Sequence, residues 1–302
     1  MIQIKVSNLD KLADKYYKKI EMFINQKNTK YKLDDINCDL LSILNKDLEQ
    51  IVTAKPNELR KLIAISPSEF SNTIEQLKDL YGTFRDKWGV ELIEDLKMDV
   101  CPFCNRNYIF KFQDSIKEEA RILATLDHYY DKDSYPFLSV SFFNLIPSCN
   151  ICNSKFKHII NFSKIKHLHP YEDDFNKRAK FSHFLKPIND ENKNNTLFSK
   201  ERIALTLTSI DEEDIPTKNT ISTFRLNDIY QEHKNTVLEL IQKREIYPDS
   251  YIDELAHNYS GLFTNREDLL RLITCGYVND EDINKRPLSK LIKDISEELK
   301  LI

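Results

Sequence analysis

Glycine is scarce, with four in 302 residues. Neither GxGxxG nor GxxxxGK[ST] occurs, so a glycine-rich cradle for nucleotide phosphates is excluded. Long apolar runs are missing too. None approaches the roughly 18 to 20 residues that a membrane span needs. The stretch MIQIKVSNLDKLADKYYKKIEMF lacks the apolar core and small-residue cleavage site of a secretion signal. The expectation is a soluble, cytoplasmic chain that makes no use of a membrane. A basic excess is also absent: 44 Lys+Arg stand against 48 Asp+Glu, a net charge of −4. That is poor material for a nucleic-acid binder, which normally carries a basic footprint. Hydrophobic residues make up 41% of the chain, enough for real cores, so a mainly disordered protein is excluded. The length suits about two domains.

Three regions differ in character. Residues 1–98 read as helical. Leu9, Leu12, Tyr16, Ile20 and Phe23 recur at three- and four-residue steps, an amphipathic stripe. Ser66-Pro67-Ser68-Glu69 has the form of a capping-box helix start. Phe70, Ile74, Leu77, Leu80, Tyr81, Phe84 and Trp88 then keep helical spacing to about Gly89. In residues 99–180, Cys, His, Asn and aromatics concentrate, and β-like runs occur at 108–112 and 122–126. Residues 181–302 open on the polar, loop-like NDENKNNTLFSKE. Ile203, Leu205 and Leu207 then alternate as a strand does, before helical patterns return. Thr264 and Asp268 mark a helix start, Gly276 its stop, and a last helix begins near Pro287.

Six cysteines are present, and four form two Cys-x-x-Cys knuckles, Cys101/Cys104 and Cys149/Cys152. Two such pairs offer the four-sulfur tetrahedral shell that structural Zn2+ prefers. The wide gap between the knuckles requires a folded insert, with zinc stapling its ends. Disulfides are the alternative, disfavoured in the cytosol. A thioredoxin-type redox reading accounts for one knuckle at a time. Cys38 and Cys275 are isolated and expected as inert buried thiols.

Between and after the knuckles come, in order, Asp127-His128, Asn144-Leu145, and Cys149-x-x-Cys152-Asn153-x-Lys155. In this order and spacing, residues 101–157 resemble the HNH, or ββα-metal, endonuclease family. The longer phrases LDHYYDKDSYPFLSVSFFNLIPSC and LHPYEDDF resemble more specifically the PtuB-type HNH nucleases of Septu and retron antiphage systems. The family resemblance implies a mainly α protein with a small zinc-stapled ββα-metal core over 99–180 and α-helical N- and C-terminal regions. It implies phosphodiester hydrolysis leaving 5′-phosphate and 3′-hydroxyl. The system resemblance implies an ABC/SMC-like ATPase partner (PtuA-type).

The residues suit that chemistry. Neutral imidazole accepts a proton near neutral pH, so His128 is the expected general base. Adjacent strand residues face opposite sides, so a twist or bulge is needed for Asp127 and His128 to serve one centre. The resemblance makes Asp127 the ligand of a catalytic Mg2+ or Mn2+, with the side-chain oxygen of Asn153 beside it. Asn153 stands where many family members carry histidine, which leaves the metal's identity open. Asn144 corresponds to the family's middle asparagine, which bonds backbone across the hairpin and holds the histidine. The zinc and the catalytic ion are then two distinct metals.

Charge also sorts by position. Residues 1–100 hold 16 Lys+Arg against 17 Asp+Glu, residues 101–180 hold 12 against 9, and residues 181–302 hold 16 against 22. Within 151–180 the balance is 7 against 3, with three histidines besides. Arg106, Lys155 and Lys157 are the candidates for gripping phosphates of DNA or RNA, tRNA included. The acidic C-terminal region suits a protein partner better. The rival to an enzyme is a zinc-stabilised, non-catalytic nucleic-acid-binding module.

Overall fold

The computed structural model describes residues 1–27, 29–67, 69–115, 119–187 and 199–302. Helices predominate among them, with three two-stranded antiparallel sheets. No helix among the described residues is long and apolar enough to cross a membrane. Two compact units emerge.

One unit comprises residues 3–98 and 109–173. Its helices are α1 (Leu9–Ile24), α2 (Leu33–Leu44), α3 (Leu48–Val52), α4 (Pro56–Ile65), α5 (Asn72–Glu75) and α6 (Leu77–Asp95). The α1 stripe buries Ala13, Tyr16, Tyr17, Ile20 and Ile24. Asp47 and Gln50 form a reciprocal capping box on α3. The start expected at Ser66 is not a helix start. Ser66 ends α4 in extended geometry before Pro67, whose ring disfavours helical backbone at the preceding residue. The helical path resumes after Ser71, whose hydroxyl accepts the Ile74 N–H. Ser68, also part of that expectation, lies outside the described residues. Nor does α6 stop at Gly89. It runs on to Asp95 because Leu92 and Ile93 continue the buried stripe, and one interior glycine costs only about 1 kcal/mol.

The same unit holds β1 (Lys111–Asp114) paired with β2 (Glu119–Ile122), and β3 (Thr125–His128) paired with β4 (Leu145–Ser148). The run expected as one strand over 122–126 is therefore divided between two hairpins. A π-helical turn over Ile151–Lys157 follows β4.

The other unit comprises residues 1–2, 99–108 and 174–302. In it β5 (Ala179–Leu185) pairs with β6 (Ile203–Ser209), and the predicted alternation of Ile203, Leu205 and Leu207 is inward-facing. The polar stretch 189–201 lies outside the described residues up to 198. The helices are α7 (Ile215–Thr223), α8 (Leu226–Tyr230), α9 (Lys234–Ile246), α10 (Asp249–Asn258), α11 (Arg266–Thr274) and α12 (Ser289–Glu298). Asn265 caps α11 through the Asp268 N–H. At its other end Cys275, not Gly276, takes the left-handed turn, with φ 59°. Gly276 is needed for space: a Cβ there would lie 2.7 Å from Ile292 Cδ1.

The units do not follow the boundaries read from the sequence at 98/99 and 180/181. Residues 99–108 belong with 174–302, while 109–173 belong with 3–98. Long-range backbone bonding is the reason. Asn105, at φ 51°, receives the Leu288 N–H on its carbonyl and the Lys290 N–H on its side chain, 3.0 Å away, and donates to Ile283 O. The first knuckle thus caps the start of α12.

Candidate functional site

The thiols of Cys101, Cys104, Cys149 and Cys152 are all buried, and their Sγ atoms lie within 4.8 Å of one another. Each knuckle is shaped to present sulfur. In the first, Cys101 N–H bonds Asn107 O at 2.9 Å, a bridge pairs Val100 with Tyr108, and the Arg106 N–H points at Cys104 Sγ at 3.4 Å. In the second, the Cys152 N–H points at Cys149 Sγ, also at 3.4 Å. Amide donors aimed at the sulfurs stabilise thiolates and orient them for a metal. An all-sulfur set suits a soft or borderline ion, so this cluster can hold a metal such as zinc. Cys38 and Cys275 are exposed, contrary to the expectation of burial.

The second locus is the β3–β4 hairpin. Its register runs without interruption from Thr125↔Ser148 to His128↔Leu145. Asn144, fully buried, ties the hairpin at the point where β3 ends. Its Oδ1 accepts the Tyr130 N–H at 2.7 Å, and its Nδ2 donates to Tyr130 O at 3.0 Å and Leu138 O at 3.1 Å. Its own carbonyl accepts the Tyr129 N–H at 2.8 Å. The backbone just after His128 is thereby fixed.

His128 Nε2 lies 2.9 Å from Ser139 O. A carbonyl only accepts, so Nε2 carries the proton and Nδ1 keeps the lone pair. The Tyr81 ring meets the imidazole edge-on at 4.3 Å, held by its hydroxyl on Leu126 O. Burial pushes the His128 imidazole down to about 4, against the upward pull of the Ser139 carbonyl. The ring is neutral at neutral pH.

Asp127 leaves the strand on the other face. No bulge interrupts the 125–128 register, so the device that would be needed to bring Asp127 beside His128 is not built into this pairing, and adjacent side chains point to opposite faces. Asp127 Oδ1 pairs with Lys157 Nζ at 2.7 Å, both side chains being buried. The same ammonium donates to the His128 carbonyl. Asp127 Oδ2 is buried and has no hydrogen-bond partner. Burial raises the Asp127 carboxyl, and Lys157 opposes that rise. Asn153 Nδ2 donates to Thr125 Oγ1 at 3.0 Å. Thr125 and Asp127 share a face of β3, and Asn153 and Lys157 sit four apart on the π-turn, so the turn lies along that face. An unpartnered buried carboxylate oxygen on Asp127 and the amide oxygen of Asn153, whose amide nitrogen is held on the same face of β3 by Thr125, are hard donors of the kind that suit a divalent ion such as Mg2+ or Mn2+.

Of the residues expected to grip phosphate, Lys155 is exposed, whereas Lys157 is buried against Asp127. Arg106 donates through Nε to His233 Nε2 at 2.8 Å. The sequence reading missed the Lys157–Asp127 pair, Tyr81 and the Ser139 carbonyl. None of the three left a local signal in the sequence. No family model, curated protein or solved structure matches the chain.

Proposed function

We propose that this chain is a metal-dependent HNH-type endonuclease that hydrolyses phosphodiester bonds of DNA or RNA. The observation that carries the reading is His128: a neutral imidazole whose Nε2–H is committed to the Ser139 carbonyl, leaving Nδ1 as a base. Asn144 supports it by fixing the backbone on which that ring stands. His128 takes a proton from water, the water oxygen attacks phosphorus, the bond to the 3′-oxygen breaks with its electron pair on that oxygen, and the departing 3′-oxygen takes a proton from solvent water. The products are 5′-phosphate and 3′-hydroxyl. Asp127 and Asn153 would hold a Mg2+ or Mn2+ ion; because Asp127 and His128 leave β3 on opposite faces, the end of the strand would have to twist for that ion's charge to reach the phosphate His128 serves. Lys155 and Arg106 add positive charge for phosphates further along the strand. The four-cysteine cluster with zinc is structural.

We further propose a cytoplasmic role as the effector of an antiphage system of the PtuB type. The acidic 181–302 region would dock an ABC/SMC-like ATPase (PtuA-type). The rival reading, a zinc-stabilised nucleic-acid binder without catalysis, draws on one observation: Lys157 already neutralises Asp127. Incubation of the purified protein with plasmid DNA and total RNA, in Mg2+ or Mn2+, separates the two. Cleavage that EDTA stops supports the enzyme; binding without cleavage under every metal supports the rival.

A further inference from the structure

We propose that Lys157 is an internal competitor for the divalent ion at Asp127, so that ion binding there is coupled to withdrawal of the lysine ammonium. The inference rests on reading Asp127 as a metal ligand. Three observations carry it. First, the ammonium is caged: it bonds Asp127 Oδ1 at 2.7 Å and the His128 carbonyl, and lies 5.0 Å from the centre of the Phe162 ring. Secondly, the cage is one bond short. Asp127 Oδ2 is buried with no partner, which a pair built only for structure has no reason to leave. Thirdly, the backbone that carries Lys157 is unusual. The π-turn closes with the His158 N–H on Asn153 O at 2.9 Å, and His158 itself sits at φ 39°, ψ −108°. π-turns are rare and concentrate at functional sites, and a non-glycine residue at positive φ is strained.

A divalent ion on Oδ2 and an ammonium on Oδ1 of one carboxylate lie a few ångströms apart in a dry site. Like charges repel strongly there. The two cations therefore exclude or weaken each other. A phosphate entering with the ion offers the ammonium a replacement partner, so ion and substrate phosphate bind cooperatively. Without a phosphate, the lysine keeps metal binding at the site weak.

The test is Mn2+ titration of the full-length, zinc-loaded protein, followed by electron paramagnetic resonance and by the metal-induced rise in melting temperature. Lys157→Met is expected to bind Mn2+ on the order of tenfold more tightly than the unaltered chain when no nucleic acid is present. Adding Asp127→Asn should remove the gain. Lys157→Gln, which keeps a polar terminus for the His128 carbonyl, serves if the methionine variant fails to fold. Unchanged or weaker Mn2+ binding in a folded Lys157 variant overturns the competition. If cleavage persists in that case, the nuclease reading stands alone. Tighter Mn2+ binding with no cleavage under any condition supports the competition and removes the nuclease reading.

Discussion

Among the described residues two aspartate–lysine pairs are buried, and they are built differently. Asp294 and Lys290 lie four apart on α12, and Lys290 Nζ donates to both carboxylate oxygens at 2.6 Å. Asp294 Oδ2 also accepts the Phe181 N–H at 2.8 Å. Asp127 and Lys157 are 30 residues apart, joined through one carboxylate oxygen while the other is left without a bond. Burial raises both aspartates, and both lysines pull back. The ions are the same and so is the burial. What differs is closure: the α12 pair satisfies itself and fastens β5, whereas the β3 pair keeps an acceptor in reserve. A closed pair reads as architecture, an open one as a site.

The largest stability effect should come from the closed pair. Lys290→Met strands a buried carboxylate and should cost about 3–5 kcal/mol in chemical denaturation, with no recovery on adding Mn2+. Recovery by Mn2+ would erase the distinction between the pairs. Asn144→Ala comes next. It removes the three side-chain bonds that steady the open pair's hairpin, and about 2–4 kcal/mol should be lost by the same method.

Acid sharpens the contrast further. Burial lowers His167 to about 4 and His169 to about 3, in the unit that holds Asp127. Their folded values lie below the unfolded value, so the unfolded chain binds more protons. The stability they support is complete above about pH 6.5 and is lost as pH falls toward 4 and 3. The slope is about 1.4 kcal/mol per pH unit for each ring. Replacing His169 by Gln should flatten the melting temperature between pH 6.5 and 4. The smallest effect belongs to an exposed ion pair. Arg60 grips Glu172 with two bonds, at 2.8 and 3.2 Å, yet both residues meet solvent. Arg60→Ala should change stability by no more than about 1 kcal/mol, and salt should shrink the difference.

Local signals were readable in the sequence, and non-local bonding was not. The two Cys-x-x-Cys knuckles sufficed to anticipate a cluster, because each pair is its own chelating unit. Asp127-His128 and Asn144 were singled out by the family resemblance, and of what it implied the structure shows Asn144 bonding backbone across the hairpin. The divergence of Asp127 and His128 followed from strand geometry, and it held without a bulge. By contrast, Lys157 looked like one more cation in a basic run. Nothing local reveals that a π-turn brings it back onto β3. The capping box at Ser66 failed because Pro67 ended the preceding helix, and Gly89 failed as a stop because packing overrode propensity. The 99–180 boundary failed because Asn105 bonds 283, 288 and 290, and sequence proximity says nothing of that.

The central claim is that His128 removes the proton in phosphodiester hydrolysis. Its most direct test is His128→Ala, assayed beside the unaltered chain on plasmid DNA and total RNA with Mg2+ or Mn2+, with zinc content and melting temperature measured on the same samples. The account predicts a loss of cleavage on the order of 10²- to 10⁴-fold with zinc content retained and the protein folded. Equal cleavage by a folded, zinc-replete His128→Ala protein would contradict it.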